Sequence, residues 1–249
     1  MEISLIVPAR NEQHRLVSTI ERYRNAAYQR FGSDFEIIIV ANGYSDNTPG
    51  VANKLADRFS QVSVLDIPIP IGKGGAILEG FRKATGNFVL FVDADGATSP
   101  ETLFGLVDNL STNDIVIGSR RLPDSIIVNP QPLTRQVFGN CFARSVKLLF
   151  RMPYRDTQCG AKAFSWNAAR QLVELVEEKR WAFDVDLLLC ARKLNLNVAE
   201  QAVTWEDQPG SQLRIGSTIV EILQSLWRLK SRHANLKLDL ETSYAREVI

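Results

Sequence analysis

Phe88-Val89-Leu90-Phe91-Val92-Asp93-Ala94-Asp95-Gly96 is the stretch on which the fold turns. An unbroken apolar run of this length reads as a strand buried on both faces, because a half-exposed strand would alternate. Two carboxylates arrive at its C-terminal end, where Gly96 lets the backbone turn. At such an end both can converge on one hard cation or on a metal-bound diphosphate. A buried strand that delivers acids to its carboxyl edge describes the ligand-binding edge of an α/β sheet.

Outward from this strand the same alternation repeats. Strands are expected over Ile3–Val7, Phe35–Ala41, Val62–Asp66 and Asp114–Gly118, and helices over Asn11–Arg30, Thr48–Phe59, Gly74–Ala84 and Glu101–Leu110. Apolar strands alternating with helices predict a mostly parallel central sheet with helices on both faces. Beyond it, Leu122–Pro132 reads as a polar, proline-containing loop. Helices are expected over Thr134–Phe150, Asn167–Glu178, Phe183–Lys193 and Ser217–His233, with strands over Ala161–Phe164 and Val198–Trp205.

Composition excludes several classes. The 249 residues are 45% hydrophobic and 23% charged, which suits one soluble globular domain, and a net charge of +1 gives no field for bulk nucleic-acid binding. Cys141, Cys159 and Cys190 are too sparse for a disulfide framework and lack metal spacing, which fits a reducing compartment. No apolar run reaches the ~18 residues of a membrane span. A cytoplasmic protein, soluble or peripheral on the cytoplasmic membrane face, is expected.

Every strand of the first half ends in residues unsuited to a core. The first ends in Pro8-Ala9-Arg10-Asn11-Glu12, the second in Ala41-Asn42-Gly43, and the fourth in Asp93-Ala94-Asp95, while Gly72-Lys73-Gly74-Gly75 precedes the third helix. In a parallel sheet these ends fall side by side, so the polar clusters share one crevice. The glycine segment is neither a Walker loop nor G-x-G-x-x-G, since Ile77 stands where the last glycine belongs. Amides at a helix start plus Lys73 can still hold a phosphate.

These blocks resemble the GT-A family 2 glycosyltransferases, and more closely the polyprenyl-phosphate (dolichyl-phosphate) glucosyl- and mannosyltransferases. The resemblance is carried by residues 7–12, 72–76 and 93–98, by Asp156-Thr157-Gln158-Cys159-Gly160-Ala161-Lys162, by Arg180-Trp181-Ala182-Phe183-Asp184-Val185-Asp186, and by Val203-Thr204-Trp205 with Gly210-Ser211. It implies the GT-A (nucleotide-diphospho-sugar transferase) fold and a hexose moved with inversion from a UDP- or GDP-sugar to a lipid phosphate. It implies a donor site of Pro8, Ala9, Arg10, Glu12, Asn42, Lys73, Gly74, Asp93, Ala94 and Asp95. A Mg²⁺ or Mn²⁺ is expected at Asp95, with Asp93 on the ribose or the metal. The chain departs from the family where Ala41-Asn42 replaces Asp-Asp, and where Gln212 replaces a lysine that Arg214 would have to supply.

On this reading residues 1–233 form one domain: a nucleotide-sugar half (1–119), an acceptor half (120–216) and an amphipathic helix (217–233), followed by a polar tail (234–249). A hydroxyl acceptor would need a general base, for which Asp184 and Asp186 are the candidates beside Asp95 in the catalytic set. A polyprenyl phosphate, with a second pKa of ~6, is already anionic and needs cations instead. Arg120, Arg121, Arg135, Gln158 and Arg214 are the expected acceptor-binding residues. A soluble hydroxyl acceptor, or a non-catalytic nucleotide-sugar binding module, remains the alternative. A membrane-protein partner and a homodimer both stay open.

Overall fold

The structure is a computed structural model describing residues 1–130, 132–180, 182–208 and 224–234. Trp181, Gly210, Ser211, Gln212 and Arg214 lie outside the described residues, as do 217–223 of the expected last helix and nearly all of the tail. The strands are β1 (Ile3–Ala9), β2 (Phe35–Asn42), β3 (Val62–Ile67), β4 (Phe88–Val92), β5 (Ile115–Ser119), β6 (Ile126–Ile127), β7 (Ala161–Ser165), β8 (Val198–Ala202) and β9 (Thr204–Trp205). The helices are α1 (Leu16–Phe31), α2 (Thr48–Arg58), α3 (Gly72–Lys83), α4 (Pro100–Gly105), α5 (Leu133–Phe150), α6 (Trp166–Leu175) and α7 (Phe183–Lys193), with α8 over 224–234.

Seven strands build the main sheet in the order β3-β2-β1-β4-β7-β5-β8. All neighbours are parallel except β7, which runs antiparallel between β4 and β5. Successive residues of each strand feed opposite cores. Ile6, Ile38, Val40 and Phe91 pack with α3, α6 and α7, while Leu5, Val7, Ile37 and Ile39 pack with α1, α2 and α4. Both faces are covered, which is why the strands read as unbroken apolar runs.

The reversed β7 matters most for position. Val92 pairs with Ala161, so the segment entering β7, Asp156–Gly160, reaches the same edge as Asp93. The backbone N–H of Asp93 donates to Gly160 O at 3.2 Å. Pro8 is tolerated in a central strand because the β1–β4 ladder ends at Ile6 and Phe91, two residues before the missing donor.

Other expectations shift locally. α1 begins at Leu16 rather than Asn11, because Asn11 is left-handed (φ 58°) and its carboxamide accepts from Ser45 N at 2.7 Å. The expected strand Val198–Trp205 breaks at Val203 into β8 and β9. β9 pairs with β6, inside the segment expected to be loop, and Ser99 N donates to Thr204 O at 3.2 Å. The small sheet is thereby tied to the turn after Asp95. α8 buries Leu226 and Leu229 against the same core as α7, so its described part packs on the domain. Among the described residues, no helix is long and apolar enough to cross a membrane.

Candidate active site

The loops after β1 and β2 are stitched into one wall. Glu12 N donates to Thr48 Oγ1 at 2.8 Å, Gln13 N to Asp46 Oδ2 at 3.2 Å, and Asn47 N to Gln13 Oε1 at 2.9 Å. Glu12 is largely buried and pairs with Arg15, one turn on. Arg10 is exposed and donates to Gly43 O at 3.1 Å, while Pro8 and Ala9 are buried in β1. Asn42 closes β2 fully buried, and its Oδ1 has no hydrogen-bond partner.

Asp93 and Asp95 leave β4 into a turn set by Gly96 (φ 71°). Asp95 Oδ1 accepts from Ala97 N at 3.0 Å, and α1 holds the turn from below through Arg22 on Gly96 O and Tyr23 Oη on Thr98 O at 2.6 Å. Lys73 Nζ lies 2.7 Å from Asp93 Oδ1, and both side chains are half-buried. Burial, and then the neighbouring Asp93 charge, push the Asp95 carboxyl up to about 6. Burial opposes the charge of Lys73, yet Asp93, Asp184 and Asp95 together hold it well above its usual range. Three acids thus act on Lys73, one of which, Asp184, has a second ammonium of its own in Lys162. Two half-buried carboxylates of one turn, incompletely neutralised, are a donor set suited to a hard divalent cation, and the expected metal fits Asp95 and Asp93.

The glycines of Gly72-Lys73-Gly74-Gly75 serve packing. Gly74 N already donates to Lys179 O at 2.9 Å, and a Cβ on Gly74 would meet the Phe183 ring at 2.4 Å. The expectation that Gly74 offers its amide to a donor phosphate is corrected here, because that amide is used inside the fold. Close approach of α3 to α7 is what the glycine permits, and it carries Lys73 to Asp93.

Asp184 and Asp186, indistinguishable in the sequence, have separate fates. Asp184 is 5% exposed and its Oδ1 accepts from Lys162 Nζ at 2.5 Å. Lys162 is fully buried in β7 and also donates to Cys159 O at 2.7 Å. Both lysines flank Phe91, with Lys73 Nζ at 5.9 Å and Lys162 Nζ at 5.3 Å from its ring centre. Asp186, expected as a candidate base, is instead consumed by the fold. It accepts from Glu177 N at 3.0 Å, Glu178 N at 2.9 Å and Arg232 Nη1 at 2.7 Å, and His233 Nε2 lies 2.7 Å from Oδ1. Residues two apart on a helix lie about 200° apart, so one acid faces the crevice and the other faces α8. Asp186, Cys190 and His233 could also approach a metal ion, but Arg232 already satisfies both oxygens of Asp186.

On the far side of the sheet edge Arg120 forms a bidentate pair with Asp156: Nε to Oδ2 at 2.7 Å and Nη2 to Oδ1 at 3.0 Å. Its guanidinium also lies over the Trp205 ring. Burial would raise the Asp156 carboxyl, but Arg120 outweighs it and holds the group at about 2. Arg121 Nη2 donates to Gly139 O of α5 at 3.1 Å, and Arg135 stands in the first turn of that helix. Gln158 Nε2 and Thr157 Oγ1 are buried without hydrogen-bond partners. Sequence reasoning assigned no role to Lys162 or Asp156. A lysine inside the apolar run Ala161–Phe164 was the available signal, since an unpaired ammonium cannot be buried there.

A mostly parallel sheet with an acidic corner at the carboxyl ends of its strands suits the GT-A glycosyltransferases that the motifs resemble. The chain belongs to glycosyl transferase family 2, whose model matches residues 4–167. It is 34% identical over 251 residues to a dolichyl-phosphate β-glucosyltransferase of Trichomonas vaginalis, covering 92% of this chain and 76% of that one. A Drosophila melanogaster enzyme of the same name is 35% identical over 226 residues, covering 86% and 69%. Glucosyl-3-phosphoglycerate synthase of Mycobacterium tuberculosis, solved with uridine diphosphate, superposes with a TM-score of 0.67 at 20% identity, over 94% of this chain and 80% of that one. The family and fold expected from the motifs are borne out.

Proposed function

We propose that this glycosyltransferase moves glucose from a nucleoside-diphosphate glucose to a polyprenyl phosphate of the dolichyl type. The observation that carries the acceptor class is the Asp184–Lys162 ion pair. A hydroxyl acceptor needs a carboxylate free to take its proton. Asp184 is bound by a buried ammonium and Asp186 by α8. A phosphate brings its own negative oxygen and needs no base. Residues 1–119 are the donor half in this account, and 120–216 the acceptor half.

The proposed chemistry is a single displacement. An acceptor phosphate oxygen attacks the anomeric carbon from the face opposite the leaving group. The carbon–oxygen bond to the donor's β-phosphate breaks, and the nucleoside diphosphate leaves with the electron pair, inverting the centre. A divalent cation at Asp95 and Asp93 would offset charge on the departing diphosphate. Lys73 adds a positive charge beside Asp93. The buried, unpartnered Oδ1 of Asn42 suits an N–H of the nucleobase, so the neutral replacement keeps an acceptor where the family has an acid. Arg121, Arg135 and Arg214 supply the cations for the acceptor, with Arg120 braced by Asp156.

UDP-glucose is the donor to test first, because a solved relative in fold, the mycobacterial synthase, is described with Mn²⁺ and UDP-glucose. Purified protein with UDP-glucose, Mn²⁺ and a short-chain polyprenyl phosphate is expected to form a glucosylated phospholipid. Asp95→Asn is expected to lower kcat by about 100-fold or more. Full metal-dependent transfer by Asp95→Asn would overturn the assignment of the metal corner.

A further inference from the structure

Helix α5 has two apolar sides. Val146 and Phe150 are buried, and Phe138 and Phe142 pack partly against the same core. A helix on a water-exposed surface presents polar residues on the opposite side. Here that side carries Leu133, Val137 and Leu148, exposed by 78%, 61% and 82%, together with exposed Cys141. At 3.6 residues per turn these four fall within an arc of about 80°. Exposed Arg144 shares the arc, and exposed Lys147 and Arg151 flank it. No acidic residue occurs anywhere in Leu133–Phe150.

Exposed leucines among cations, without a single acid, complement one surface in particular. A basic amphipathic face buries its apolar side chains at the headgroup boundary while its cations meet anionic lipid. A second copy of the chain fits less well, since a symmetric contact would bring Arg144, Lys147 and Arg151 of both copies together. The face is also well placed. Arg121 of the acceptor side reaches α5 through Gly139 O at 3.1 Å.

We propose that the outer face of α5 lies on an anionic lipid bilayer and holds the Arg120–Arg121 end of the crevice at headgroup level. The inference rests on the lipid-phosphate reading for its purpose, but not for its test. The last helix, amphipathic in the sequence, spends Leu226 and Leu229 of its described part on the core and so leaves this role to α5.

Cys141 is exposed, and Cys159 and Cys190 are buried, so a solvatochromic dye can be placed on this face selectively. The labelled full-length protein, mixed with vesicles of phosphatidylglycerol and phosphatidylcholine, is expected to shift to the blue and to co-sediment. Pure phosphatidylcholine vesicles are expected to do neither. Lys147→Gln is expected to weaken binding about five-fold. Leu133→Asp with Leu148→Asp, both exposed and hence compatible with folding, is expected to abolish it while transfer to a short-chain, water-soluble polyprenyl phosphate is retained. No binding to anionic vesicles, or binding that the double variant retains, would overturn the proposal. So would a concentration-dependent dimer that buries the dye without lipid. Absent vesicle binding with intact transfer defeats this inference alone, and vesicle binding without transfer to any lipid phosphate defeats the acceptor reading alone.

Discussion

Asp156 shows how one carboxylate can hold an arginine in place. Its folded pKa is about 2 against an ordinary 3.8, so its stabilising effect is fully present above about pH 4 and is lost as the pH falls through about 2. The shift corresponds to about 2 kcal/mol at neutral pH. Asp156→Asn is therefore expected to lower the unfolding free energy by at least about 2 kcal/mol at pH 7, read from urea titrations. The gap to the parent is expected to narrow by about half near pH 3, and a constant gap would contradict the pairing. The same residue explains a limit of the sequence. The block 156–162 is recognisable as a motif, but that its aspartate serves Arg120, 36 positions away, depends on β7 running backwards. Lys162 was hidden for the same reason, because its partner Asp184 comes from a helix 22 positions on.

At the scale of elements, α7 carries the division of labour between its two acids. Asp184 faces the sheet and Lys162, while Asp186 fixes α8 and the segment 177–178. That segment leads to Lys179, whose carbonyl receives Gly74 N at the start of α3. Arg232→Ala removes the guanidinium from a carboxylate that is fully buried, and is expected to cost about 3 kcal/mol in unfolding free energy. Arg232→Lys is expected to recover only part of it, since the two-oxygen pairing is lost. If Arg232→Ala unfolds at the parent's urea midpoint, the clamp is not what holds α8. The helix boundaries of α7 were readable from the chain, but which face met the crevice was not, because that phase is set by packing partners distant in sequence. The delayed start of α1 was unreadable for a related reason: Asn11 bonds to the next loop, not to its own helix.

At the scale of the molecule, the first half, residues 1–119, was legible because its strands, helices and loops follow one another in chain order. β1, β2 and β4 pair in parallel with local crossovers, so strand ends that are regularly spaced in sequence become neighbours in space. The second half breaks that regularity. It joins β7 antiparallel, pairs β6 with β9 across 78 positions and hangs α5 outside the sheet. Charge tells the same story. Each candidate base is answered by a cation from another element, and Arg120 is answered in turn by Asp156. The central claim is thus about the acceptor. With UDP-glucose and Mn²⁺, a polyprenyl phosphate and the corresponding polyprenol can be offered at equal concentration and the glucosylated products separated by mass. The account predicts glucosyl transfer to the phosphate and none to the alcohol. Transfer to the alcohol at a comparable rate would contradict it.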